Sequence, residues 1–224
     1  MPAVALPMTT IGFIGAGKIG GTVARLAAEQ GYDVVVSNSR GPETLAELVA
    51  EIGPNGRAAW AAEAAAAADI AFVSVPLKNI WQIDPAPLAG KIVLETNNYY
   101  AVRDGRIEAI DEERNTTTGL LQEHLPTSHV VKIFNHINWT HIPTDGLPAG
   151  DPNRRAIAIA SDHADALDFA RRFLDELGYD AVDVGSVAES WRIEKGTPGY
   201  GKRVTASQLE AALQQAERSV VHAD

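Results

Sequence analysis

Short apolar runs alternate along the chain with stretches in which apolar residues recur every three or four positions. This alternation is the signature of a parallel sheet covered by helices. Thr10 to Ile14 is an apolar run ending at a glycine, and Ile19, Val23, Leu26 and Ala27 then recur at helical spacing within Lys18 to Gln30. Gly31 stops that helix, and Val34-Val35-Val36 predicts a buried strand, because β-branched side chains suit a pleated surface. Pro42 and Glu43 open a predicted helix through Ile52, with the proline in the first turn, where its missing N–H does no harm. The alanine-rich segment Ala58 to Ala68 predicts a short helix, since alanine is the strongest helix former. It feeds a strand from Ile70 to Val75 that Pro76 stops.

Lys91 to Leu94 predicts the next strand, ending at Glu95-Thr96-Asn97-Asn98, and residues 101–118 read as a long polar excursion. Leu120 to Leu125 reads as helical, and His129 to Phe134 as a strand ending at Asn135-His136. Ala156 to Ala160 predicts a strand. Ala164 to Leu177 predicts an amphipathic helix, and Ala181 to Val184 a last strand. Leu209, Leu213, Ala216 and Val220 recur at spacings of 4, 3 and 4, so the C-terminus is expected to be helical. That apolar stripe suits either packing within the chain or a homodimer interface, and a homodimer is the expectation. The predicted fold is α/β: a Rossmann-type doubly wound parallel sheet over residues 1–150, with a small C-terminal α/β extension over residues 151–224 that ends in a helix.

Composition narrows the classes of function. The 224 residues hold no cysteine, which removes disulfides, thiolate metal sites and cysteine nucleophiles. Met1 to Thr10 has no basic region ahead of an apolar stretch, so it does not read as a signal peptide. No apolar run approaches the roughly 18–20 residues that span a bilayer. A cytoplasmic protein without membrane association is expected. The formal charge of −10 opposes binding to nucleic acid or anionic membranes, so an anionic ligand needs local devices such as helix N-termini.

Gly15-Ala16-Gly17-Lys18-Ile19-Gly20 supplies such a device. It fits G-x-G-x-x-G directly after a strand and at the start of a helix. The first glycine permits a tight turn, the second lets backbone approach a pyrophosphate, and the third lets helix and strand pack closely. At the end of the second strand, an NAD-preferring site carries an acid for the ribose 2′-hydroxyl, whereas this chain has Ser37-Asn38-Ser39-Arg40. Asp33 lies at the wrong end of that strand. Hydroxyls, an amide and a guanidinium suit a 2′-phosphate, so NADP(H) is the expected cofactor. Val75-Pro76 and Thr96-Asn97-Asn98 end neighbouring strands at the same edge, where ligands lie in open α/β sheets.

His124, His129, His136 and His141 match no ligand spacing, and no metal site is expected. His136 follows a strand end and is the candidate catalytic residue. No G-x-S-x-G element is present, and Tyr99 and Tyr100 lack the Y-x-x-x-K spacing of short-chain dehydrogenases.

Thr10 to Gly20, Ser37 to Arg40, Val73 to Pro76, Val131-Lys132-Ile133-Phe134-Asn135 and Tyr179 to Gly185 occur in an order that resembles the NADP oxidoreductases using coenzyme F420, a deazaflavin. The resemblance runs to about Gly201. It implies an NADP-binding domain, a small C-terminal substrate-cleft region, and direct hydride transfer between NADP(H) and the deazaflavin or a similar small redox acceptor. The cofactor site expected from motif and resemblance comprises Gly15, Ala16, Gly17, Lys18, Ile19, Ser37, Asn38, Ser39, Arg40, Val75, Pro76, Asn97 and Asn135. His136 and Ile137 would border the second substrate together with Asn135. The chain departs from the family at Trp139, which is bulkier than expected, and it shows no basic track for a polyglutamate tail. Two alternatives stay open: an NADPH-dependent reductase of a carbonyl, imine or flavin, with His136 or Tyr100 as proton donor, and a non-enzymatic NADP(H)-sensing module.

Overall fold

A computed structural model of the chain describes residues 9–218. The N-terminal half follows the strand–helix rhythm: β1 (Thr10–Ile14), α1 (Lys18–Glu29), β2 (Asp33–Ser37), α2 (Ala46–Ile52), β3 (Gly56–Ala58), α3 (Ala61–Ala67), β4 (Ile70–Val73) and β5 (Ile92–Glu95). Two single-turn helices, α4 (Ala101–Asp104) and α5 (Glu108–Asp111), occupy the polar excursion, followed by α6 (Thr117–His124) and β6 (His129–Lys132). The chain continues through β7 (Ala156–Ala160), α7 (Ala164–Glu176), β8 (Asp180–Gly185) and α8 (Ala206–Gln214).

All eight strands form one sheet in the order β3-β2-β1-β4-β5-β6-β7-β8. Six strands are parallel; β7 joins β6 antiparallel through the pair Lys132↔Ala160, and β8 then runs parallel to β7. The residues after 150 therefore extend the same sheet. The switch at β1, which pairs with β2 on one side and β4 on the other, opens a crevice at the C-terminal strand ends.

Alternation along the strands sorts the core into two faces. Ile11, Phe13, Ile70 and Phe72 join Val23, Leu48 and Phe173 under α1, α2 and α7. The Phe13 and Phe72 rings lie 4.9 Å apart, inside the favourable range for an aromatic pair. Ile14, Ala71, Val73 and Val93 face Leu77, Leu88, Leu121 and Leu125 on the other side, under α6. The alanine run has a packing reason: a Cβ on Gly12 would lie 2.4 Å from the Ala64 carbonyl oxygen and 2.7 Å from the Ala68 Cβ. Only small residues on both partners let α3 approach β1 this closely.

Three predicted elements differ. The helix expected from Pro42 begins as a 3-10 turn, Pro42–Leu45, before α2. The short edge strand β3 takes the start of the alanine-rich segment; three residues are too few to show a period. The strand expected through Phe134 stops at Lys132, because Phe134 turns to a φ of +54°.

The C-terminal stripe packs within the chain. Leu209 and Leu213 lie buried against Ala158, Val182 and Ile193, and Val220 lies outside the described residues. The reading of this stripe as a dimer interface is thereby corrected for Leu209 and Leu213. Leu209→Ala should lower the unfolding free energy by about 2–5 kcal/mol, the usual range for emptying a buried leucine site. Urea denaturation measures that loss, and the solution mass should stay unchanged; an altered mass at unchanged stability would restore the interface role.

Candidate nucleotide site

The floor of the site is one register line. Ser37 pairs with Ile14, Ile14 with Val73, Val73 with Glu95, and Glu95 with Lys132, so five strand ends stand level. Above it lies a cleft of about 600 Å³ lined by Gly15, Ala16, Gly17, Ser37, Asn38, Ser39, Arg40, Val75 and Pro76. Nine of the thirteen expected cofactor residues thus meet in one cavity.

Each glycine of the fingerprint has its own structural cause. Gly15 has a φ of +103°, and a Cβ there would sit 2.4 Å from the Ser74 carbonyl oxygen. A Cβ on Gly20 would lie 2.1 Å from the Gly15 carbonyl oxygen, so α1 could not close on the turn. A Cβ on Gly17 would meet nothing within 4 Å. The protein's own packing does not require glycine there, which leaves open space for a ligand to approach the backbone. Gly17 is also the N-cap of α1 and has no side-chain cap, so the first N–H groups of that helix remain available to an anion.

The loop after β2 is organised from within. The Ser37 hydroxyl is buried and donates to the Phe13 carbonyl oxygen at 2.7 Å, while the Ser37 carbonyl accepts from the N–H groups of Gly15 and Ala16. Asn38 Oδ1 accepts the N–H groups of Arg40 and Gly41. These two side chains shape the loop and do not present free groups to a phosphate. Ser39 and Arg40 are exposed, and the Arg40 guanidinium has no ion pair among the described residues.

The other expected residues lie outside the cleft lining. Ile19 packs against the core. The Lys18 ammonium lies 5.4 Å from the ring centre of half-exposed Trp139, a cation–π arrangement that places Trp139 beside the glycine turn. Asn97 donates to the Val75 carbonyl oxygen at 2.6 Å. Asn135 donates to Asn98 Oδ1 and to the Ile193 carbonyl oxygen, and Asn98 returns a bond to the Asn135 carbonyl oxygen. These amides tie the loops after β4, β5 and β6 together.

His136 is placed as a buried acceptor: its Nε2 takes the Ala158 N–H at 2.9 Å. Burial first, then the positive charges of Arg155 and Lys132, push its pKa down to about 3. An imidazole held neutral and bonded to backbone is not a proton donor at neutral pH, which removes the physical basis for expecting a catalytic acid here. Its neighbour Phe134 keeps a left-handed backbone, costly for a residue with a side chain, under fixed packing against Tyr179 at 5.8 Å.

Reasoning along the chain missed the far wall of the cleft: Trp60, Ala61, Ala62, Ala65, Asn79, Gln82, Ile83 and Asp84. Trp60 did carry a signal, an aromatic placed just before a helix, with Glu63 accepting its backbone N–H. Also missed was the fully buried pair of Lys132 Nζ and Glu95 Oε1, 3.0 Å apart. Lys132 also donates to the Asn97 carbonyl oxygen and to Thr117 Oγ1, while Glu95 accepts from Thr118 Oγ1 and the Asn97 N–H.

Known proteins resemble this chain in sequence and in fold. Residues 10–99 match the family described as NADP oxidoreductase coenzyme F420-dependent. A curated relative, the Escherichia coli (strain K12) protein YjhV, is 43% identical over 54 residues, which cover 24% of this chain and 39% of YjhV. The match thus spans well under half the length of that relative. A hypothetical protein from Sinorhizobium meliloti, SMa0349, superposes with a TM-score of 0.76 at 26% identity, covering 89% of this chain and 96% of its own. An Arthrobacter sp. FB24 protein, described as a candidate F420-dependent NADP-reductase, superposes with a TM-score of 0.70 at 22% identity over 82% of this chain and 87% of its own, a likeness of fold.

Two measurements test the buried polar groups. Lys132→Met should destabilise by about 3–5 kcal/mol, because it strands the Glu95 carboxylate, and Lys132→Met with Glu95→Leu should recover much of that loss in urea denaturation. For His136 the folded pKa lies below the unfolded value of 6.5, so its contribution is complete above that value and is lost as the pH falls toward about 3. Within that window the wild-type stability should fall by up to about 1.4 kcal/mol per pH unit from this group, and His136→Gln should show a shallower slope.

Proposed function

We propose that this protein is an NADP(H)-dependent oxidoreductase that exchanges hydride between NADP(H) and a deazaflavin, coenzyme F420, or a similar small redox acceptor. One observation carries the reading: the open space over Gly17, the uncapped start of α1 and exposed Arg40 meet in one cleft at the switch point of the sheet. The glycine turn would hold the pyrophosphate on backbone N–H groups. Arg40, with Ser39 beside it, would hold the 2′-phosphate by charge-assisted hydrogen bonds. Val75 and Pro76 would form the wall along which the cofactor runs from pyrophosphate to nicotinamide.

Bound NADPH supplies a hydride at its nicotinamide ring. For that transfer the protein must hold two rings in contact and exclude water, and it needs no nucleophile. The loops tied together by Asn97, Asn98 and Asn135 would position such a wall. Asn97 Oδ1 is buried with no partner in the structure, so an acceptor is available beside the Val75 carbonyl. The family description of residues 10–99 supports the deazaflavin as acceptor.

A second reading has its own observation. The hydroxyls of Tyr100 and Tyr200 lie 2.8 Å apart, and Tyr100 follows β5 on the edge that carries the cleft. Burial raises the Tyr200 phenol well above its ordinary value, so it stays protonated at neutral pH. Such a pair suits proton delivery to a carbonyl or imine. Rapid mixing of NADPH, protein and coenzyme F420 separates the readings: loss of the deazaflavin absorbance supports the first, and no change removes that acceptor. Turnover of a carbonyl or imine that Tyr100→Phe abolishes would favour the second. In either case Arg40→Ala should raise the KM for NADPH roughly 10- to 100-fold, the worth of hydrogen bonds to a charged group, and leave NADH nearly unaffected. An equal loss with both cofactors would refute the assignment of Arg40 to the 2′-phosphate.

A further inference from the structure

At the opposite edge of the sheet from the cleft, three side chains with no part in nucleotide binding converge. His129 is the first residue of β6, His163 immediately precedes α7, and Asp165 lies in the first turn of α7. The His129 Nδ1 and an Asp165 carboxylate oxygen are 2.6 Å apart, and the two imidazole rings stack with centroids 4.2 Å apart and planes 3° from parallel. One ligand-type atom from each of the three residues lies within 4.8 Å of the other two. Both histidines are partly buried and Asp165 is exposed, so the group is preorganised on one side and open to solvent on the other.

We propose that His129, His163 and Asp165 form a binding site for a first-row divalent transition-metal ion of the zinc type, clipping the start of α7 to the start of β6. Two imidazoles and one carboxylate make a familiar three-ligand set for such an ion, with a fourth position left to water. Calcium and magnesium favour sites built wholly from oxygen and fit poorly. Tetrahedral ligands on zinc stand roughly 3.4 Å apart, given bonds near 2.0–2.1 Å. The donors farthest apart must therefore draw in by at most about 1.4 Å, while His129 Nδ1 and the Asp165 oxygen, 2.6 Å apart, must exchange their hydrogen bond for the ion and open by about 0.8 Å. The lone pairs of two stacked parallel rings do not converge on one point, so one ring must also turn about its outer torsion.

The backbone beneath is held by hydrogen bonds. Ser161 Oγ donates to the Val130 carbonyl oxygen at 2.6 Å and accepts the His163 N–H, which holds the loop that carries His163 against β6. A cation beside a helix N-terminus is opposed by the helix dipole, and the Asp165 carboxylate, itself a ligand, offsets that cost. The other histidines among the described residues take no part: His124 bonds the Ile83 carbonyl oxygen, His136 accepts the Ala158 N–H, and His141 lies beside Asp145.

Titration of zinc sulfate into the untagged, EDTA-treated full chain tests the site without reference to turnover. Calorimetry should report one equivalent, and a hundredfold excess over Kd should raise Tm by about 5–10 °C for a chain of this size. Magnesium should do neither. The one-equivalent binding and the Tm rise should vanish in His163→Asn and in Asp165→Asn, both of which alter solvent-accessible side chains, and should persist in the control His141→Asn. Absence of zinc binding, or binding that survives His163→Asn and Asp165→Asn, overturns the proposal.

Discussion

The candidate site rests on an ion pair that water does not reach. Glu95 and Lys132 close β5 and β6 at register-matched positions, both fully buried. Removing two charges from solvent is costly, and their mutual attraction offsets that only when every remaining lone pair and proton is used. Here Lys132 has three acceptors and Glu95 two further donors, drawn from the loop after β5 and from the first residues of α6. Satisfying the pair therefore fixes where residues 96–98 and the start of α6 must lie. Thr117 passes the constraint on through its N–H and hydroxyl, both donated to Glu194 Oε1 at 2.8 Å, which ties in the segment after β8.

The same network links two of the stretches that carry the resemblance, far apart along the chain. Lys132 and Phe134 come from Val131 to Asn135, and Tyr179 opens the stretch through Gly185. The left-handed turn at Phe134 is held in a T-shaped contact with the Tyr179 ring, whose hydroxyl donates to the Ile142 carbonyl oxygen. Asn135 then reaches both Asn98 and Ile193. Residues distant along the chain thus brace one turn at the end of β6.

What could be read along the chain follows from what is local. Period and punctuation found nearly every helix and strand, because Gly31, Pro76 and the apolar repeats act within a few residues of themselves. The glycine turn was legible for the same reason, since its three roles are set by immediate neighbours. Partnership across strands was not legible. Nothing near Glu95 announces Lys132, because register decides their meeting, and nothing near His136 announces that the Ala158 N–H would donate to its Nε2. His136 stood at a strand end, a position that suggests exposure to ligand, but β7 crosses there antiparallel and covers it. Around Trp60 the local pattern reports only the helix propensity of the alanine run, while the position of the tryptophan in the cleft lining depends on how closely α3 lies over Gly12.

The loop after β2 shows how this changes a specificity argument. From residue types alone, Ser37, Asn38, Ser39 and Arg40 all suit a 2′-phosphate. Ser37 and Asn38, however, have their polar atoms committed to Phe13, Arg40, Gly41 and Thr44. A hydrogen-bonding group already satisfied inside the protein gains little by turning to a ligand, since it must first break what it has. The proposed discrimination between NADP(H) and NAD(H) therefore narrows to Ser39 and above all to Arg40, whose backbone N–H is held by Asn38 while its guanidinium stays in solvent. In a chain with a net charge of −10, one cation fixed at its backbone and free at its tip counters the general repulsion of a phosphate where it matters.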